Sequence, residues 1–130
     1  MAENRVAILL ISHVKALAEG ARELLQQANP EVGVYACGGL DGGEIGTSVD
    51  RIEAVVEEID PENAILIFYD IGSAKMNAEM VQEMYEDRNI AICNAPIIEG
   101  SYVATVTAGL GSPTLAEVKR EAEEGYSKEG

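Results

Sequence analysis

Val6-Ala7-Ile8-Leu9-Leu10-Ile11, followed by Ser12-His13, is the stretch on which the fold turns. An unbroken run of six apolar residues suits a strand and is too short to span a membrane. Continuous rather than alternating hydrophobicity is the mark of a parallel strand covered by helices on both faces. The run gives way to the only histidine of the chain, where a helical pattern begins. In open α/β sheets chemistry gathers at the carboxyl ends of strands and at the helix N-termini that follow. A neutral imidazole is nucleophilic near physiological pH, so His13 is the first candidate reaction centre. The competing reading is an ordinary polar loop residue, and its neighbours must decide.

Further apolar runs of strand length recur at residues 32–37, 64–69 and 90–93. Helical patterns lie between them. Val14, Leu17, Ala21, Leu24 and Ala28 fall on one helical face, as do Val49, Ile52, Val56 and Ile59. Met76, Met80 and Met84 repeat at spacing four and read as core filler for a third helix. Thr47 with Asp50, and Thr114 with Glu117, have capping-box spacing, and Ser73 is placed to cap the third helix. Two further helices are expected over residues 99–109 and 114–124, with a frayed end at 125–130. The order predicts one doubly wound α/β domain over residues 1–130. Its sheet is open and mainly parallel, of four or five strands with core order 2-1-3-4, and helices cover both faces.

The chain has 130 residues, 47% of them hydrophobic, enough for a packed core without disulfide or metal staples. Its formal net charge is −14, with 23 acidic against 9 basic residues. Such a surface repels phosphate backbones and anionic lipid, which argues against nucleic-acid and membrane partners and favours proteins with positive patches. Cys37 and Cys93 lack the spacing and histidine company of a metal site and read as reduced, buried hydrophobes. The amino end has neither a basic start nor a long apolar run, so a cytoplasmic protein is expected.

The unusual residues cluster where strands end. Ser12-His13 follows the first strand, a segment with five glycines in residues 38–46 and Thr47-Ser48 follows the second, and Asp70-Ile71-Gly72-Ser73 follows the third. In a parallel sheet these segments share one edge with Asn94-Ala95-Pro96. The glycine segment is neither a Walker loop nor a dinucleotide fingerprint, since no lysine follows it and it opens after the second strand. With order 2-1-3-4, His13 and Asp70 face each other across the switch point. A carboxylate on one imidazole nitrogen fixes the tautomer and leaves the other nitrogen nucleophilic. A phosphoryl group on His13 then meets glycine-loop amides, a helix N-terminus and the hydroxyls of Thr47 or Ser73. This chemistry calls for no metal and no cofactor. A serine-hydrolase triad lacks its nucleophile elbow, and a receiver phosphorylated on Asp70 lacks the acidic cluster after the first strand. A non-catalytic module that binds an anion or a partner at these strand ends stays open.

Ile11-Ser12-His13 with Leu17-Ala18-Glu19-Gly20, Gly38-Gly39-Leu40-Asp41 with Gly46-Thr47-Ser48, and Asp70-Ile71-Gly72-Ser73-Ala74-Lys75-Met76-Asn77 together resemble the DhaM family. These are phosphotransferase subunits of phosphoenolpyruvate-dependent dihydroxyacetone kinases, relatives of the mannose-type enzyme IIA domains. Asn94-Ala95-Pro96-Ile97-Ile98-Glu99-Gly100 fits the same pattern. The resemblance implies that His13 is phosphorylated and that Asp70 orients it, with Gly39, Thr47, Ser48, Gly72 and Ser73 around the phosphate. It implies a homodimer, the phosphocarrier protein HPr as donor, and ADP on a DhaL subunit as acceptor, with DhaK handling the dihydroxyacetone. A sugar-specific IIA domain of the mannose type is the alternative within the same resemblance.

Overall fold

The structure is a computed structural model that describes residues 5–124, so the expected frayed end at 125–130 lies outside it. Four parallel strands form one sheet, β1 (Val6–Ser12), β2 (Val34–Gly38), β3 (Ala64–Tyr69) and β4 (Ile90–Ile92), in the order β2-β1-β3-β4. Five helices are α1 (Lys15–Ala28), α2 (Val49–Glu58), α3 (Gly72–Met84), α4 (Ile97–Ala108) and α5 (Leu115–Glu124). The expected α/β class, strand order and coverage of both faces are all found.

The continuous hydrophobicity of β1 and β3 has a direct cause in the two cores. Val6, Ile8 and Leu10 point into one, with Leu66 and Phe68, against α1, α4 and α5. Ala7, Leu9 and Ile11 point into the other, with Ile65, Ile67 and Tyr69, against α2 and α3. Alternate residues bury on opposite faces, so neither parity can be polar.

Several local expectations are corrected. The second strand begins at Val34 rather than Val32, because residues 29–32 close a turn in which the Val32 amide donates to the Asn29 carbonyl. It runs on to Gly38, which pairs with Ser12. The fourth strand stops at Ile92, and α4 begins at Ile97, two residues earlier than expected. In α1 the sheet-facing residues are Ala18, Ala21 and Leu25, while Leu17 and Leu24 are exposed. Close approach selects this arc: a Cβ on Gly38 would stand 2.7 Å from the Lys15 Cα and 3.0 Å from the Ala18 Cβ. Met76, Met80 and Met84 are exposed, not core, because the small residues Ala74 and Ala78, with Val81, face the sheet.

Capping is also redistributed. Ser48, not Thr47, caps α2, accepting from the Arg51 amide at 3.4 Å. Ser73 lies inside α3, whose N-cap position is held by Ile71 without a side-chain bond. The capping box at α5 forms as expected, with the Thr114 amide donating to Glu117 at 2.8 Å and the Glu117 amide to Thr114 at 3.1 Å. Cys37 and Cys93 are free and buried, and burial first, with nearby Glu123, pushes the Cys93 thiol up to about 12.

Candidate active site

The parallel pairing of β1 with β3 runs from Val6–Ala64 to Ile11–Tyr69, so the residues just beyond both strands meet. His13 Nδ1 lies 2.9 Å from Asp70 Oδ1, and His13 Nε2 lies 2.7 Å from Ser73 Oγ. An ionised carboxylate only accepts, so the Nδ1 hydrogen points at Asp70 and Nε2 carries the lone pair. The Ser73 hydroxyl donates to that lone pair. The imidazole thus stands in a line between a fixed carboxylate and a movable hydroxyl, its nucleophilic nitrogen at the head of α3.

Asp70 is itself tightly held. Its Oδ2 accepts from the Ser12 hydroxyl and the His13 amide, both at 2.9 Å, and its Oδ1 accepts from the Ile71 amide at 2.8 Å. Burial alone pushes the Asp70 carboxyl up. The donors on His13, Ser12 and Ile71 outweigh it and hold the group below its ordinary 3.8. The carboxylate is therefore charged and unable to rotate away from the ring.

Sequence reasoning assigned no role to Ser12, which is wholly buried at the end of an apolar strand. Its hydroxyl donates to Asp70 and accepts from the Val14 amide at 3.0 Å, tying the start of α1 to the carboxylate. The available signal was its position: a hydroxyl ending a strand buried on both faces needs a partner of its own. Arg51 and Asn77 were also missed. Arg51 donates to the Asp41 carboxylate at 3.1 Å and to the Gly38 carbonyl at 3.2 Å, pinning the glycine segment. Asn77 donates to Thr47 Oγ1 at 2.7 Å and joins that segment to α3.

The glycine segment is largely self-satisfied rather than an open cradle. The Gly39 amide donates to the Ser12 carbonyl at 3.2 Å, and the Gly46 amide to the His13 carbonyl at 2.9 Å. Gly39 has φ +72°, a left-handed turn that brings this amide back to β1. The segment therefore buttresses the His13 backbone, with Thr47 and Ser48 occupied by Asn77 and the α2 cap. Gly72 and Ser73 carry the first amides of α3, which have no intrahelical acceptor. At the end of β4 the Asn94 amide is engaged by Glu123 of α5 at 2.7 Å.

Only 15% of the His13 side chain is exposed, but Ser73, whose hydroxyl meets its Nε2, is open to solvent. A hollow of about 320 Å³ among Arg5, Asn29, Asn63 and Gly109 lies at the opposite, amino edge of the sheet. Among the described residues no group of three or more histidines, cysteines or carboxylates is arranged to hold a metal ion. An oriented, shallowly placed imidazole suits exchange with a group presented by another macromolecule.

Residues 7–118 match the family of PTS system fructose IIA components. The phosphotransferase subunit DhaM of the PTS-dependent dihydroxyacetone kinase from Lactococcus lactis subsp. lactis (strain IL1403) is 39% identical over 116 residues, covering 89% of this chain and 92% of the relative. The phosphoryl donor subunit DhaM of PEP-dependent dihydroxyacetone kinase 1 from Listeria innocua serovar 6a is 40% identical over 95 residues, 73% of this chain and 75% of the relative. A crystal structure of a protein of unknown function aligns with TM-score 0.83 at 30% identity, covering 92% of this chain and 94% of that one. Matched over most of its length in sequence and in fold, the chain belongs to the PTS system fructose IIA component family.

Proposed function

We propose that this chain is the phosphohistidine carrier of a phosphoenolpyruvate-dependent dihydroxyacetone kinase. His13 accepts a phosphoryl group from HPr and passes it to ADP held on a DhaL subunit, and DhaK presents the dihydroxyacetone. The line of Asp70, His13 and Ser73, at 2.9 and 2.7 Å, carries this reading. The names of the DhaM relatives support the same pathway.

In the accepting step the Nε2 lone pair forms a bond to phosphorus while the phosphorus–nitrogen bond to the donor imidazole breaks, returning that electron pair to the donor. Asp70 stabilises the positive charge that the His13 ring gains. Ser73 turns its hydroxyl from Nε2 to a phosphoryl oxygen, and the Gly72 and Ser73 amides face the same anion. Gly39, Thr47 and Ser48 hold the segment beside it. In the donating step a β-phosphate oxygen of ADP attacks phosphorus, ATP leaves, and Nε2 recovers its lone pair. The chain is thus a phosphotransferase subunit restored in each cycle, without metal or cofactor of its own.

Two copies assemble into a homodimer, a reading supported by an exposed apolar row on α4, and the protein works in the cytoplasm, where free buried thiols persist. Incubation with phosphoenolpyruvate, enzyme I and HPr tests the assignment. The parent chain takes up an acid-labile, base-stable label that DhaL–ADP removes, and His13→Ala takes up none. Equal labelling of His13→Ala sinks the proposal. A label that DhaL–ADP leaves in place points to the sugar-specific IIA role instead.

A further inference from the structure

Met76, Met80 and Met84 are 65%, 54% and 51% exposed, and Ile71, just before α3, is 57% exposed. Spacing four stacks the three methionines on one helical face, and Ser73, three residues before Met76, lies on the same face. The row therefore starts at the hydroxyl that touches His13 Nε2 and runs roughly 17 Å down α3 at 1.5 Å per residue. Exposed carboxylates border it: Glu79 and Glu83 precede Met80 and Met84 by one residue each, and Glu86 and Asp87 follow the helix.

We propose that this methionine row is the docking surface for the phosphoryl-donor protein, a partner presenting apolar side chains ringed by lysine or arginine around its own phosphohistidine. The inference rests on the reading of His13 as the accepting group. Transfer between two imidazoles brings both ring edges to one phosphorus atom, so the donor's surface itself must cover the rim of His13. ADP is different, because an extended small molecule can reach inward from a protein that stands farther off. A specific interface buries about 800 Å² per partner, a disc of roughly 16 Å radius, and one centred on Nε2 extends along α3 through Met80 towards Met84. Methionine suits the task, being flexible and polarisable and able to fit a surface that must bind and release in each cycle. A second copy of this chain is a poor occupant, since it would set a −14 molecule against the same acidic border.

Two phosphoryl donors separate docking from chemistry: HPr phosphorylated by phosphoenolpyruvate and enzyme I, and phosphoramidate, which needs no docking surface. Met80→Asp raises KM for phospho-HPr about 30-fold, as loss of an interface anchor does, and leaves the phosphoramidate rate within about twofold of the parent. Met80→Leu keeps KM within about threefold, and Glu83→Lys raises it about threefold to tenfold at low salt, less so at high salt. Parental KM values for both Met80→Asp and Glu83→Lys overturn the proposal, as does an equal fall with both donors. A parent chain labelled by phosphoramidate but not by phospho-HPr overturns the donor and its docking face while His13 stands. A parent labelled by neither overturns the carrier reading itself.

Discussion

Helices α3 and α4 lie on opposite faces of the sheet, and each leaves an apolar row in solvent. The α3 row is Met76, Met80 and Met84, unbranched, bordered by carboxylates and headed by the candidate site at His13. The α4 row is Ile98, Tyr102 and Val106, again at spacing four and followed just past the helix by Leu110, but branched or aromatic. Glu99 is the single charged residue between Ile97 and Leu110. The α3 row is the more exposed of the two, and the rows suit two different chemistries. A nearly uncharged row of stiff side chains lets two copies of an acidic chain meet without repulsion, whereas an acid-bordered row of flexible ones favours a cationic visitor. The proposed self-association is therefore assigned to α4, and the proposed docking to α3.

The largest effect comes from removing the chemistry while both rows are left intact. Asp70→Asn puts a neutral amide where the carboxylate sets the imidazole tautomer, and labelling of His13 falls about 10³- to 10⁴-fold with phospho-HPr and phosphoramidate alike. Dimer mass and KM for phospho-HPr stay at parental values. Stability adds a signature in pH. The Asp70 carboxyl is held below 3.8 in the fold, so its contribution is complete above the unfolded value and is lost as pH falls through the folded one. The parent is therefore more stable than Asp70→Asn at neutral pH, and denaturant melts recorded from pH 7 downward show the gap closing below about pH 4.

The α4 side breaks with charge. Tyr102→Asp with Val106→Asp buries two carboxylates at the proposed dimer contact, at about 2 kcal/mol each or roughly 10³-fold in the dimer dissociation constant. Light scattering then reports a monomer that phosphoramidate still labels. A parent that is monomeric, or a double variant that remains dimeric, leaves α4 with no part in self-association. Ser12→Ala follows in size. It leaves the Val14 amide and Asp70 Oδ2 each one partner short inside the protein, and labelling slows about 10- to 100-fold with either donor, as for a lost bond to a charged group. KM for phospho-HPr does not move, which distinguishes Ser12 from the methionines.

How much of this was legible in the sequence depends on how local the deciding contact is. The β1 and β3 runs announce themselves because each residue is buried on one face or the other, so six letters suffice. The methionine row was misread because hydropathy records what a side chain tolerates, not what covers it; Ala74 and Ala78 already filled the sheet-facing arc. The α1 face was misread for a related reason, since Gly38 lets the helix come close enough to favour Ala18 over Leu17. His13 and Asp70 were legible as a pair because strand order alone brings their positions together. Ser73 and Thr47 looked like local helix caps, but a partner distant in sequence took each: His13, 60 residues away, and Asn77, 30 residues away. The α5 cap held because Thr114 and Glu117 satisfy each other.

The smallest effect tests whether the head of α3 belongs to the site or to the docking row. Asn77 shares α3 with the methionines, yet its amide reaches the other way, to Thr47 in the segment whose Gly46 amide holds the His13 carbonyl. Asn77→Ala removes one hydrogen bond, worth about 1 kcal/mol net. If the glycine segment buttresses His13, that loss loosens the histidine backbone, and labelling falls several-fold, equally with phospho-HPr and phosphoramidate, at unchanged KM. If Asn77 instead serves the docking row, KM for phospho-HPr rises alone. The geometry favours the first outcome, because the Asn77 bond points towards the segment behind His13, whereas the methionine row is open to solvent.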